Sequence, residues 1–168
     1  MSRLSPAARG VLLASALTLP AASSTLAQTA PPPPAAPEKG DVVPAFETLA
    51  VDGKPSKLDF PKGSKTVLLF FLSSCPVCHK MIPEWNSAYE RRPKDLKVVG
   101  VIMDQEPPGF FGTVSIAFPV VRSPGREFLR SLNVNRAPVT LRVGAGGRIE
   151  DVALGIVDPI RLGELFKP

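Results

Sequence analysis

The only two cysteines of this 168-residue chain stand three positions apart, Cys75-Pro76-Val77-Cys78, and its only histidine, His79, follows them directly. A dithiol at this spacing supports several chemistries. In thiol–disulfide exchange the first thiolate attacks a disulfide sulfur and the second thiol closes on it, releasing the bound partner. Cys75 is the candidate for the first role and Cys78 for the second. A purely structural disulfide would close so small a loop that it adds only about 2 kcal/mol. Structural zinc needs four ligands, and only two cysteines and one histidine are on offer here. The wording C-x-x-C-H also matches covalent haem attachment, with His79 as an axial ligand and Met81 or Met103 as the sixth. Cu(I) favours soft sulfur, so both thiolates with His79 or Met81 form a further donor set.

The elements around the pair separate these chemistries. Residues 66–72 (Thr-Val-Leu-Leu-Phe-Phe-Leu) are a continuous apolar run that reads as a strand buried on both faces. After Ser73-Ser74 the pattern changes to helical steps, with Cys78, Met81, Ile82, Trp85 and Tyr89 on one stripe. Pro76 suits the first helical position, which puts Cys75 at the helix N-terminus, where free N–H groups and the helix dipole favour a thiolate. The helix is predicted over about 76–91, ending before Pro93 and bent at Pro83. A dithiol at a strand-to-helix corner, followed by further alternating strands and helices, is foreign to small haem-c domains. No haem or other cofactor, and no metal site, is therefore expected.

Composition narrows the setting. The chain carries a net charge of +5, and Arg3 and Arg9 contribute two of these charges, leaving +3 beyond residue 27. With no basic cluster beyond Arg91-Arg92, nucleic-acid binding is not indicated. Residues 1–27 have the outline of a signal peptide: Arg3 and Arg9, an apolar stretch over 11–22, then small residues ending at Ala27. The apolar stretch is short for a permanent membrane span. Residues 28–40 include five prolines between positions 31 and 37 and read as a semi-rigid linker of roughly 20 Å. A periplasmic location follows, with membrane tethering if the signal stays uncleaved. An exported chain whose cysteines form a single C-x-x-C suits disulfide exchange in an oxidising compartment.

From residue 41 to 168 the pattern is that of one domain. Phe46 to Pro55, with an Asp52-Gly53 turn, reads as a hairpin paired with Lys57–Phe60. After the helix come a buried strand over 97–103, a loop over 104–109, a short helix over 110–117 and a short strand over 118–121. A helix over 126–132, a hairpin of 139–143 with 148–153, and a last helix over about 158–166 complete the chain. This order predicts an α/β fold with a central mixed sheet flanked by helices.

At this point residues 41–168 resemble the thioredoxin superfamily, and more closely its exported TlpA/ResA-like branch. The resemblance rests on the C-x-x-C ending the central strand, Pro83 five residues past Cys78, the extra N-terminal hairpin, Phe118-Pro-Val-Val121, and Arg136-Ala137-Pro138 before a hairpin. The Cys-Pro-Val-Cys wording is also similar to MauD-type proteins. The resemblance implies a thioredoxin-like fold in which the Ala137–Pro138 bond is cis and packs against the cysteines, with Ala137 offering a backbone edge to an extended client. It implies a monomeric thiol–disulfide oxidoreductase that takes electrons from a membrane donor and passes them to a client protein disulfide; a Cu(I)-handling protein is the alternative. The chain also departs from the pattern. Ser74 replaces the usual Trp, Leu69 stands where a buried acid often assists the second Cys, and Met81 stands where the branch has Glu. No carboxylate is thus evident beside Cys78. A peroxidase pattern would need a proline and a hydroxyl residue where Leu68 and Leu72 stand.

Overall fold

The computed structural model describes residues 35–167, so the expected signal peptide and most of the proline-rich linker lie outside the described residues. Strand β1 (Phe46–Leu49) pairs with β2 (Pro55–Leu58) as an antiparallel hairpin. There follow β3 (Lys65–Phe71), α1 (Pro76–Arg91), β4 (Leu96–Ile102), α2 (Phe110–Thr113), β5 (Val120–Arg122), α3 (Arg126–Ser131), β6 (Val139–Val143), β7 (Ile149–Leu154) and α4 (Pro159–Leu165). The five-stranded sheet runs β5-β4-β3-β6-β7, parallel across β5, β4 and β3 and antiparallel through β6 and β7. The fold is the expected α/β arrangement with a central mixed sheet and an N-terminal hairpin.

Strand β3 is apolar on both faces because both faces are covered. Val67, Leu69 and Phe71 point into the cluster formed with Met81, Ile82 and Trp85 of α1 and Leu162 and Leu165 of α4. Leu68 and Phe70 point the other way, to Phe46 and Leu58 of the hairpin and to Leu132 and Val134. Gly100 of β4 leaves room for aromatic rings; a Cβ there would lie 2.8 Å from Phe118 and 3.1 Å from Phe71. Trp85 is fully buried, with ring centroids 6.3 Å from both Phe71 and Phe118, and its indole N–H donates to Thr140 Oγ1 of β6 at 3.2 Å.

Several boundaries differ from those the sequence suggests. The hairpin connection is longer than a two-residue Asp-Gly turn: Leu49 pairs with Pro55, Ala50 N–H donates to Lys54 O at 2.8 Å, and Asp59 and Phe60 fall beyond β2. Helix α2 stops at Thr113 rather than 117 because Asn86 of α1 captures the following backbone. Its amide donates to Ser115 O at 2.9 Å and its Oδ1 accepts from Ala117 N at 2.8 Å. Strand β5 starts at Val120, since Phe118 is spent on the aromatic cluster and Pro119 has no N–H for a ladder.

Both sheet edges are occupied. On the β5 side, Ala50 bridges to Val121 and the Thr48 hydroxyl donates to Arg122 O. On the β7 side, Gly40 N–H donates to Ile149 O and Ile149 N–H donates to Asp41 O, each at 2.8 Å, and Val42 bridges to Arg148. The last residues of the expected linker are held here too: Pro37 is buried and Ala35 O accepts from Asn135 Nδ2 at 2.8 Å. Further along β7, Arg161 of α4 makes a two-pronged ion pair with Asp151, at 2.5 and 2.7 Å, and also donates to Val152 O at 3.2 Å.

Candidate functional site

Helix α1 begins where the carboxyl end of β3 leaves the sheet. Cys75 is its N-cap residue, with Pro76 at the first turn, and the Cys75 sulfur accepts from Cys78 N–H at 3.2 Å. A sulfur in the cap position does what a serine or aspartate oxygen does at other helices: it satisfies a backbone donor that has no partner within the helix. Cys75 is half-buried, whereas Cys78, one turn further in, is fully buried. Both are free thiols. Burial, and then its hydrogen bond with Cys75, push the Cys78 thiol up to about 12; the Leu72 backbone pulls the other way, and the charges of Cys75 and Asp104 add smaller contributions to the rise.

The Ala137–Pro138 peptide bond is cis, and it brings Ala137 O to 3.9 Å from the Cys75 sulfur. Pro138 is buried and Ala137 is partly exposed. Pro138 O accepts from Gly155 N at 2.9 Å, which places the turn after β7 beside the same corner. The structure therefore brings together Cys75, Cys78, Ala137 and Pro138.

It does not gather the alternative copper donors. Met81 is buried and its sulfur accepts from Val157 N–H at 3.4 Å, so it serves the core between α1 and α4. His79 is exposed, as a first-turn residue should be, but it is not idle. Its Nε2 faces Ser73 O at 2.7 Å, a geometry in which the ring donates, and its ring lies 6.0 Å from Phe110. Among the described residues no group of three or more His, Cys, Asp or Glu is placed to hold a metal ion.

Sequence reasoning finds no carboxylate at this corner, yet one is present. Asp104 lies two residues past β4, where Met103 N–H still donates to Phe71 O at 2.9 Å and keeps the two chain ends together. Its Oδ1 accepts from Ser73 N at 2.8 Å. Its Oδ2 accepts from Ser73 Oγ at 2.9 Å, Ser74 Oγ at 3.2 Å and Ser74 N at 3.3 Å. Burial alone would raise the Asp104 carboxyl, but these donors outweigh it and hold it below the ordinary carboxylate value. Only topology could have revealed this residue, since adjacent parallel strands deliver their carboxyl ends to one place.

The Cys78 titration has a stability consequence. Above the ordinary thiol pKa, about 8.5, the unfolded chain sheds this proton while the folded chain keeps it, so the folded state binds more protons and loses stability as pH rises. The loss begins near pH 8.5 and continues toward 12. The reduced protein should therefore lose melting temperature between pH 8 and 10.5 faster than a reduced Cys78→Ser variant, which retains Cys75. Parallel curves for the two would contradict a buried neutral thiol at Cys78.

The Redoxin family profile matches residues 38–160. The sporulation thiol-disulfide oxidoreductase A of Bacillus subtilis is 29% identical over 135 residues, covering 76% of this chain and 81% of its own. The crystal structure of StoA from Bacillus subtilis superposes with a TM-score of 0.63 at 25% identity, over 74% of this chain and 97% of that one. A thiol:disulfide interchange protein of the thioredoxin family from Chlorobium tepidum superposes with a TM-score of 0.64 at 23% identity, over 78% and 97%, and shares the fold. A C-x-x-C at the strand-to-helix corner, a cis-proline against it and a hairpin ahead of the central strand thus sit in a chain that belongs to the Redoxin family, within the TlpA/ResA-like branch of thioredoxin-superfamily thiol–disulfide oxidoreductases.

Proposed function

We propose that this oxidoreductase is exported and exchanges disulfides with a client protein through Cys75 and Cys78. The observation that carries the reading is the asymmetry of the pair: Cys75 is accessible, capped by the helix and 3.9 Å from the Ala137 carbonyl, and Cys78 is buried one turn beneath it. The Cys75 thiolate attacks one sulfur of the client disulfide, and the other client sulfur leaves as a thiolate that takes up a proton. Cys78 then loses its proton and attacks the Cys75 sulfur; the Cys75–client bond breaks, the second client thiol departs, and two electrons have passed to the client. A thiol donor at the membrane restores the dithiol.

Ala137 supplies the backbone edge and Pro138 holds it in place for an extended client segment. The surface beside this edge suits a polypeptide: Val77 lies within the C-x-x-C and is 37% exposed, and Ile156, next to Gly155 on Pro138 O, is 66% exposed. Export rests on the N-terminal sequence, with a signal peptide over 1–27, a linker over 28–40 and a monomeric domain over 41–168. No helix among the described residues is long and apolar enough to cross a membrane.

The test is dithiol-driven reduction of insulin, with trapping in the native compartment by a Cys78→Ser variant. Turnover by the wild type and a stable mixed disulfide of the variant through Cys75 are expected. Stoichiometric Cu(I) binding without insulin reduction would replace this reading with the copper one.

A further inference from the structure

Helix α3 is held against the domain by Phe128, whose ring lies 4.5 Å from that of Phe46, and by the buried Leu132 that follows it. Arg126 and Arg130, one turn apart on this helix, are both exposed. Beyond the helix the chain reverses at Asn133, with φ 54°, and Val134 N–H returns to Leu129 O at 2.9 Å. This reversal borders a cavity of about 280 Å³, with Leu129 and Val134 as its apolar wall and Arg126, Arg130, Asn133 and Asn135 as its polar one. No carboxylate is among the residues that line it. Asn135 stands two residues before Ala137, so their Cα atoms are at most about 7 Å apart, and the exposed Arg136 lies between them. We infer that this cavity and Arg136 form a specificity site for the client: they bind an acidic stretch that flanks the segment seated at Ala137. This deepens the dithiol reading above and rests on it.

Helix physics alone does not account for these arginines. Arg126 opens α3, where the positive end of the helix dipole opposes a cation, and it stands four residues before a like charge. Arg130 does suit the last turn, and Glu127 is the carboxylate of this helix. Yet among the described residues neither Arg126 nor Arg130 makes an ion pair or a side-chain hydrogen bond. Arg136 reaches only Asn135 Oδ1, at 3.4 Å, while the Asn135 amide is spent on Ala35 O. The other flank of α3 is different. A second cavity there, which shares Arg126 and Leu129, is lined by Asp104 and by Arg122, whose charge Glu106 offsets through bonds of 2.5 and 2.6 Å. The unbalanced positive charge therefore lies on the flank that leads to Ala137. A guanidinium presents a planar fork that matches a carboxylate, which makes glutamate and aspartate side chains its fitting partners. An extended client advances about 3.3 Å per residue, so the positions flanking its cysteine pass from Ala137 to Arg136 and then to the cavity.

The probes are three peptides that hold the same internal disulfide and carry a run of Glu, Gln or Lys on both flanks. Their reduction by the full chain, recycled with dithiothreitol, is followed as kcat and KM. The Glu peptide should have a KM roughly fivefold below that of the Gln peptide at low salt, as a pair of exposed ion contacts gives, and the Lys peptide a higher one. The difference should shrink at about 0.15 M salt, where the screening length falls to about 8 Å. In Arg126→Gln/Arg130→Gln the Glu and Gln peptides should have equal KM. Lys94→Gln/Lys97→Gln removes the same charge around the start of β4, at the opposite end of the sheet from the cysteines, and should keep the difference. Equal KM for the Glu and Gln peptides in the wild type would overturn the inference without any variant, as would an equal loss in the lysine pair. Arginine-dependent sedimentation with phosphatidylglycerol vesicles, alongside equal peptide KM values, would assign this face to a lipid surface instead. Failure of the wild type to reduce any of the peptides would remove the dithiol reading itself, and this inference with it.

Discussion

Replacing Cys75 with serine is expected to bring protein-disulfide reduction down to the background rate, a loss of at least about 10³-fold, which is in the range seen when a covalent nucleophile is removed. A serine hydroxyl at the N-cap would still accept the amide bond that the Cys75 sulfur accepts now, so the helix and its melting temperature should change little. Cys78→Ser should behave differently. Cys75 remains accessible and still attacks, but nothing resolves the product, so one equivalent of mixed disulfide accumulates and turnover stops. The measurement is insulin reduction together with mass analysis of the protein after exposure to a model disulfide. Accumulation of the adduct on Cys78 in a Cys75→Ser protein would reverse the roles and sink the assignment. That outcome would also require a thiol that is now fully buried to reach a client.

The second large effect lies in the core. Trp85→Ala removes the largest fully buried side chain, which bridges Phe71 of β3, Phe118 and Thr140 of β6. Truncating a buried aromatic costs about 3–5 kcal/mol, and about 1 kcal/mol more is lost because the buried Thr140 hydroxyl is left without its donor. Against a total stability of about 5–15 kcal/mol this is a large fraction, and the melting temperature should fall by roughly 10–20 °C. Trp85→Phe keeps a ring and loses the N–H, so it should cost much less. Thermal melts followed by circular dichroism decide the matter; a drop of under about 3 °C in the alanine variant would mean that the core closes without this ring. Activity measured well below the melting point should fall as well. Trp85 joins the helix carrying the cysteines to the strand that follows Pro138, and so sets the spacing between the two halves of the site.

These two cases show why some features are visible in the sequence and others are not. The β3–α1 corner is legible because its signals are local. A seven-residue strand has neighbours on both faces, and a proline at the helix start places Cys75 at the cap. The bounds 76–91 for the helix agree with the structure for the same reason. The placement of Pro138 is legible only through family resemblance, since nothing local to residues 136–139 says that they lie against a thiol 62 positions earlier. Asp104 is invisible because its four partners come from another segment. The end of α2 is hidden likewise, because the side chain that stops it belongs to α1.

The ion pair between Arg161 and Asp151 bears on the protein's behaviour at high concentration. An outer strand normally offers a row of unpaired amides and carbonyls, which another chain can use as a template for fibre growth. On β7 the first part of that row is taken by residues 40–42, and Val152 further along is closed by side chains: Asp151 accepts its N–H at 2.9 Å and Arg161 donates to its carbonyl at 3.2 Å. The backbone edge proposed for a client, at Ala137, is thereby spared competition from a second, unselective one on β7. Shelf life and resistance to cross-β assembly should accordingly depend on α4, the helix farthest from the cysteines in sequence, staying docked against that strand.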